Sequence, residues 1–169
     1  GIISKQNYLL ATYIWNTFDF ATPESTQGGV NSRNMKGLVT FDRKVKKDDF
    51  YWYKANWSKE PVVYLTQRRA VKRTNKITPV TVYSNVGVPE LVVNGNKITK
   101  YKEGTTPIHY IFEGITLENG QNTIETKVVK DGQTFEDKIT WDYDPANEGK
   151  SRTKERKSTK ASDKEHGGL

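Results

Sequence analysis

The chain has 169 residues and a net charge of +7, with 34% hydrophobic and 28% charged residues. It contains no cysteine, which excludes a disulfide scaffold, thiol catalysis and cysteine-ligated metal centres. No apolar run approaches the roughly 20 residues that a membrane-spanning helix needs, while the 4 Trp, 9 Tyr and 6 Phe can supply a core.

Residues 1–60 have the pattern of a partial α/β segment. The stretch 8–20 is strongly apolar, and its Tyr13, Ile14 and Trp15 predict a buried strand, because they alternate too little for a half-exposed one. A polar loop with glycine and proline breakers follows this strand. One strand, one loop and one helix cannot close a core alone, so this segment is expected to be the last part of a larger α/β domain.

A helix is predicted at 47–57, after an extended segment at 38–41. Phe50, Tyr53 and Trp57 recur at helical spacing and predict the buried face of this helix. One of the two aspartates at its start can cap its N-terminus, and the proline that follows is expected to end it.

Residues 61–145 have the period of strands. Apolar side chains alternate along 80–84 and 108–112, and the dipeptides Asn94-Gly95 and Asp131-Gly132 are typical of tight hairpins. Six or seven short strands with turns every 8–12 residues predict an immunoglobulin-like β-sandwich that folds by itself. The fold class is therefore mainly β, with the partial α/β segment in front of the sandwich.

The last segment, 146–169, has only three apolar residues among 24. Such a composition cannot bury enough surface to offset the entropy of ordering, so the segment is predicted to be a disordered or vector-derived tail.

A basic stretch lies at 33–76, which contains 13 basic and 4 acidic side chains. It matches no nucleic-acid-binding motif and the segment after it is acidic, so the pattern favours a solvated charged surface over a nucleic-acid partner. The cationic side chains that form the stripe are Arg43, Lys44, Lys46, Lys47, Arg68, Arg69, Lys72 and Arg73.

Three ordered motifs carry a family resemblance. They lie at 14–20 (IWNTFDF), 34–43 (NMKGLVTFDR) and 46–57 (KKDDFYWYKANW). They resemble the end of the catalytic (β/α)8 barrel, or TIM barrel, of glycoside hydrolase family 2, most of all its bacterial β-galactosidases. The strand-rich region resembles the immunoglobulin-like domain that follows this barrel in the family, and its Val92–Gly95 is similar to the hairpin of that domain.

The resemblance implies a C-terminal segment of a retaining glycosidase that hydrolyses terminal β-D-galactosides. In the family both catalytic glutamates lie on earlier barrel strands, so this segment is expected to lack the catalytic pair and to be inactive by itself. Asp19 and Asp42 are the carboxylates within the matching barrel motifs, and both are expected to have structural roles. The resemblance implies no cofactor and no metal; its implied partners are an oligosaccharide substrate and the upstream barrel and sugar-binding domains of the same chain.

Four residues are candidates for substrate contacts. Trp15 and Asn16 fall where the last barrel strand would end, which is the side of a (β/α)8 barrel that holds the active site. An aromatic face suits the apolar face of a pyranose and an amide satisfies hydroxyl groups, although Trp15 could equally be barrel core. Asn34 and Lys36 form an Asn-x-Lys-Gly pattern that binds the sugar carboxylate in the glucuronidases of the family. Related galactosidases can carry a similar pattern, so it does not decide the substrate, and as a surface loop it would only supply a turn at Gly37.

Two other functions stay open. β-Glucuronidases and β-mannosidases share the architecture, and a stand-alone carbohydrate-binding sandwich would hold sugar on exposed aromatic residues. Tyr83, Tyr101 and Tyr110 could form such a platform, but their spacing fits packing equally well. His109 and His166 are too few and too isolated to predict a metal site.

Overall fold

The computed structural model describes residues 8, 11, 13–23 and 30–150, and strands dominate this part of the chain. The region before the sandwich contains β1 (Phe20–Ala21), β2 (Arg33–Asn34) and helix α1 (Asp48–Trp57). The strands that follow are β3 (Val63–Leu65), β4 (Lys72–Arg73), β5 (Ile77–Ser84), β6 (Glu90–Val93), β7 (Asn96–Ile98), β8 (Lys102–Glu103), β9 (His109–Thr116), β10 (Gly120–Lys130) and β11 (Gln133–Tyr143). A short 3-10 helix at Pro145–Asn147 ends the described elements, and the predicted tail from 151 onward lies outside the described residues.

Two sheets enclose the main core, as the strand pattern predicts. One has the strand order β4-β11-β10-β6-β7 and the other has the order β3-β5-β9-β8. Along β5 the inward side chains alternate with exposed or half-buried ones, because successive residues of a strand point to opposite faces. Inward residues of both sheets form one apolar cluster that includes Leu65, Val82, Phe112, Ile124 and Trp141. The expected mainly β fold with a sandwich is confirmed.

Both predicted hairpins are present. The β6–β7 hairpin turns at Asn94 and Gly95, with φ angles of 49° and 81°. The β10–β11 hairpin turns at Asp131 and Gly132, with φ angles of 52° and 76°. Two successive positive φ values are the signature of the type I′ turn, whose twist matches that of the flanking strands.

Helix α1 covers the outer face of the β3-β5-β9-β8 sheet. The ring of Tyr51 stacks on that of Tyr64 with centroids 3.8 Å apart, and Ala55 is buried beside them. The carboxylate of Asp48 accepts a hydrogen bond from the Tyr64 hydroxyl at 2.8 Å and one from the Gln67 N–H at 2.7 Å. The helix is thus fixed to the sandwich by ring stacking and by a hydrogen-bonded carboxylate, whereas the domain boundary at 60/61 stays a prediction.

The packed face of α1 differs from the predicted one. Trp57 is 65% exposed, and the buried residue of the helix is Ala55, so the face marked by Phe50, Tyr53 and Trp57 is not the one that meets the sheet. The predicted aspartate cap is also wrong: the N-cap is Lys47, which makes no side-chain capping bond. Asp48 lies in the first turn instead, where its negative charge interacts favourably with the helix dipole and its oxygens reach the sandwich.

The environment of His109 leads us to expect that the folded chain loses stability in mild acid. Its ring lies edge-on to Tyr83 with centroids 5.4 Å apart, and burial lowers the pKa of the imidazole from 6.5. The unfolded chain therefore binds this proton at a higher pH than the folded chain, so the stabilisation present above pH 6.5 is lost as the pH falls through the folded-state pKa. We expect the free energy of unfolding, measured by urea titration, to decline from pH 7.5 to 5.5, and less steeply in His109→Gln. An equal decline in both proteins would contradict this role for His109.

Candidate functional site

Two backbone segments lie side by side and bring the candidate residues together. The Leu38 N–H donates to the Asn16 carbonyl at 3.2 Å, the Val39 N–H to the Thr17 carbonyl at 2.9 Å, and the Asp19 N–H to the Val39 carbonyl at 3.0 Å. This is a short parallel pairing centred on a bridge between Phe18 and Val39. The motif at 14–20 is therefore hydrogen-bonded to the end of the loop that contains Asn34 and Lys36.

The predicted buried strand at Tyr13–Trp15 is wrong. Tyr13 is 93% exposed and Trp15 is 78% exposed, and neither belongs to a strand. Among the described residues, the backbone pairing of this segment begins at Asn16, where residues 38–39 lie along one side of it. A buried parallel strand needs neighbours on both edges and cover on both faces, which this segment does not have here.

Trp15 presents its indole to solvent. Its ring meets Phe20 edge-on with centroids 6.2 Å apart, and Phe20 pairs across β1–β2 with Asn34. Trp15 therefore contacts the ring of the residue whose backbone pairs with Asn34. An exposed indole offers the kind of apolar face that can stack on a sugar ring.

Asn16 contributes a half-buried amide whose oxygen is buried. It follows Trp15 through a cis peptide bond, and its Nδ2 donates to the Phe18 carbonyl at 2.8 Å. Its Oδ1 is buried and has no hydrogen-bond partner within the described part of the chain. A buried acceptor without a donor is costly, and a change in the surrounding segment would be needed for a substrate hydroxyl to reach it.

Asn34 and Lys36 lie on one tight loop. The Asn34 Oδ1 accepts a hydrogen bond from the Lys36 N–H at 2.9 Å, so this amide oxygen stabilises the loop. The Lys36 side chain is exposed, and the residue lies two positions before the N–H that donates to Asn16. The loop thus carries an exposed lysine next to the point where its backbone is hydrogen-bonded to the Trp15–Asn16 segment.

Asp19 and Asp42 both accept hydrogen bonds within their own part of the chain. Asp19 is buried, and its Oδ1 accepts hydrogen bonds from the Gly37 N–H at 2.9 Å and from the Lys47 ammonium at 2.6 Å. Asp42 is exposed, and its Oδ1 closes a turn by accepting hydrogen bonds from the Thr40 hydroxyl and the Lys44 N–H. These two donors lower the pKa of its carboxyl. Both carboxylates are engaged by loop contacts rather than facing each other as a catalytic pair. Sequence patterns alone did not single out Lys47 as the partner of Asp19.

Several cations of the basic stripe serve the fold. The Arg43 guanidinium lies over the Phe18 ring at 4.2 Å, that of Arg68 over Tyr64 at 4.3 Å, and that of Arg73 over Trp141 at 4.1 Å. Arg68 also forms an ion pair with Asp137. These contacts account for part of the positive charge by intramolecular packing.

A cavity of about 440 Å³ is lined by residues of the β3–β4 connection, of β4 and the residues after it, and by Lys150, and none of the four candidate residues lines it. Within the described residues, no group of three or more His, Cys, Asp or Glu side chains is placed to hold a metal ion.

No helix among the described residues is both long and apolar enough to cross a membrane.

Comparisons with known proteins find relatives of one kind. The chain is 38% identical over 144 residues to a β-glucuronidase of Bacteroides fragilis, covering 84% of this chain and 20% of that protein. A solved structure named a "putative beta-galactosidase" from Bacteroides fragilis superposes with a TM-score of 0.81 at 50% identity, over 85% of this chain and 21% of that one. An FMN-binding β-glucuronidase from Faecalibacterium prausnitzii L2-6 gives a TM-score of 0.66 at 38% identity, over 82% and 20% of the two chains. No family model matches the chain. The chain spans about a fifth of the length of these relatives.

Proposed function

As this chain is a segment of an enzyme of the glycoside hydrolase family 2 type, we propose that the whole protein is a retaining β-glycosidase. The support is the match to proteins named as glycosidases at 38% and 50% identity, over more than four fifths of this chain. In this proposal the segment contributes part of the sugar-binding wall and the sandwich behind it. The catalytic pair of carboxylates belongs to the rest of the protein, so the segment alone is expected to be inactive.

The substrate class that fits the site best is a β-glucuronide. The observation that carries this choice is the loop of Asn34 and Lys36, which holds an exposed lysine two residues before its backbone hydrogen bond to Asn16. A sugar carboxylate is the natural partner of an ammonium, and the hydrogen bond between them is strengthened by both charges. The curated relative at 38% identity is named a β-glucuronidase, which agrees with this assignment.

A β-galactoside is the second candidate. It is favoured by one observation, namely that the structure at 50% identity bears the name of a β-galactosidase. A lysine can also donate to a neutral sugar hydroxyl, so Lys36 is compatible with either substrate.

The sandwich lacks the aromatic platform of a carbohydrate-binding module at the three tyrosines that suggested one. Tyr83 lies against Tyr64, whose ring is in turn stacked on Tyr51 of helix α1, while Tyr110 is buried in the core. Tyr101 packs on Tyr110 with an angle of 69° between the rings, which is far from coplanar. These rings serve packing.

The proposal predicts a selective effect of removing the Lys36 ammonium. In the purified full-length protein, Lys36→Ala is expected to lower kcat/KM for p-nitrophenyl β-D-glucuronide by about tenfold, because a charge-assisted hydrogen bond is lost. The same variant is expected to change turnover of p-nitrophenyl β-D-galactoside by less than about twofold. Initial rates on both substrates measure the ratio.

Lys44→Ala is the matched control, since Lys44 is another exposed lysine on a turn of the same region. It is expected to leave both rates unchanged. A wild-type protein that prefers the galactoside, or an equal loss on both substrates in Lys36→Ala, would reject the glucuronide assignment.

A further inference from the structure

The ion pair between Asp19 and Lys47 is the most buried of the ion pairs among the described residues. The two charged groups are 2.6 Å apart, and their side chains are only 2% and 14% exposed. A buried ion pair is weak evidence for stability, since a well-packed apolar pair of similar volume often serves as well. What distinguishes a charged pair is that its hydrogen bonds fix the direction of the groups around it.

Those hydrogen bonds hold the backbone on both sides of Lys36. The Lys47 ammonium donates to the Met35 carbonyl at 2.9 Å, which fixes the peptide group that precedes Lys36. The same peptide group donates its N–H to the Asn34 Oδ1 at 2.9 Å. The peptide group that follows Lys36 donates its N–H, that of Gly37, to the Asp19 Oδ1 at 2.9 Å.

Close backbone packing adds to this restraint. A Cβ atom at Gly37 would lie 2.1 Å from the carbonyl carbon of Phe18, so only glycine lets the loop approach this segment. The guanidinium of Arg43 donates to the Asp19 carbonyl at 2.9 Å, which holds the main chain of Asp19 as well as its carboxylate. The loop position is therefore determined by contacts other than those of the Lys36 side chain.

We propose that Asp19 and Lys47 are positioning residues that fix Lys36 for the carboxylate of an acidic sugar. This inference rests on the proposed function. Lysine is a long and flexible side chain, so an anchored backbone fixes the point from which its ammonium reaches the substrate. Anchoring in advance reduces the entropy lost on binding and so tightens binding of the group that the ammonium meets.

The test uses two substrates that differ in one charge. The full-length protein is assayed with p-nitrophenyl β-D-glucuronide and with its uncharged glucuronamide, in the variants Lys47→Met, Lys36→Ala and the double variant. Lys47→Met is expected to raise KM for the acidic substrate about fivefold to tenfold, with kcat nearly unchanged and less than about a twofold effect on the amide. The double variant is expected to behave like Lys36→Ala alone, because two residues that act through one contact are not additive.

Two controls separate positioning from folding. Lys138→Met breaks an ion pair of 2.7 Å with Glu125 on the sandwich and is expected to leave KM and kcat for both substrates unchanged. Lys47→Arg keeps the positive charge and its donors and is expected to restore at least half of the selectivity for the acidic substrate. If Lys47→Met does not fold, as judged by its circular dichroism melting curve, Asp19→Asn replaces it, since that change keeps the shape of the side chain and removes its charge.

The outcomes are distinct. Selective loss on the acidic substrate that is absent in the Lys36→Ala background supports the positioning role. Equal loss on both substrates, or losses that add in the double variant, overturns it while leaving the glucuronide assignment in place. A wild-type protein that does not distinguish the acid from the amide overturns both.

Discussion

Truncating Trp141 to alanine is expected to lower the free energy of unfolding of this chain by about 3–5 kcal/mol, the usual cost of truncating a large buried aromatic residue. Trp141 is 1% exposed and lies in the core between the two sheets. The guanidinium of Arg73 lies over its ring at 4.1 Å, so the change removes a cation–π contact as well as buried apolar surface. Urea unfolding followed by far-ultraviolet circular dichroism measures the loss without relying on tryptophan emission.

Trp57→Ala is the matched control for this prediction. Trp57 is 65% exposed at the end of α1, where its ring contacts Tyr53 with centroids 4.8 Å apart. Removing it is expected to cost less than about 1 kcal/mol, in line with substitutions at exposed positions. Similar losses in the free energy of unfolding for the two variants would contradict the role of Trp141 as a main stabilising residue of the core.

Trp15→Ala is expected to separate binding from stability. Because Trp15 is 78% exposed in this chain, its truncation should leave the thermal midpoint of the chain nearly unchanged. In the full-length protein, the loss of a stacking surface for the sugar should lower kcat/KM about tenfold to a hundredfold, or about 1–3 kcal/mol of transition-state binding.

The alternative role for Trp15 gives the opposite pattern. If the residue packs in the barrel core of the whole protein, its truncation should destabilise that protein by about 3–5 kcal/mol while activity per folded molecule stays normal. The thermal midpoint and kcat/KM are measured on the same preparation of the full-length variant. Trp15→Phe, which keeps an aromatic face, is expected to retain more activity than Trp15→Ala if the ring stacks on sugar.

The sandwich was predictable because its signals are local. Alternation along β5 and β9 reports which side chains face inward, and the turn dipeptides at Asn94 and Asp131 require backbone angles that few other residues adopt. The helix at 47–57 was placed to within one residue, since its length and spacing are also local properties.

The site was less predictable because it depends on contacts between distant residues. Sequence spacing indicated Phe50, Tyr53 and Trp57 as the buried face of α1. The helix instead contacts the sheet through Asp48 and Tyr51. A carboxylate that accepts a hydrogen bond from a tyrosine hydroxyl 16 residues away leaves no periodic trace. The same holds for the pairing of Asp19 with a lysine 28 residues later.

The docking of α1 on the sandwich also bears on how this region can be recombined or engineered. A junction placed at Pro61 would cut between two parts that share a hydrogen-bonded carboxylate, that of Asp48, and a stacked pair of rings, those of Tyr51 and Tyr64. The transplanted sandwich would then expose Tyr64 and its neighbour Tyr83 as an apolar patch on an open sheet face, which favours self-association. In a chimera the helix therefore belongs with the sandwich, and the exchangeable module begins upstream of Asp48.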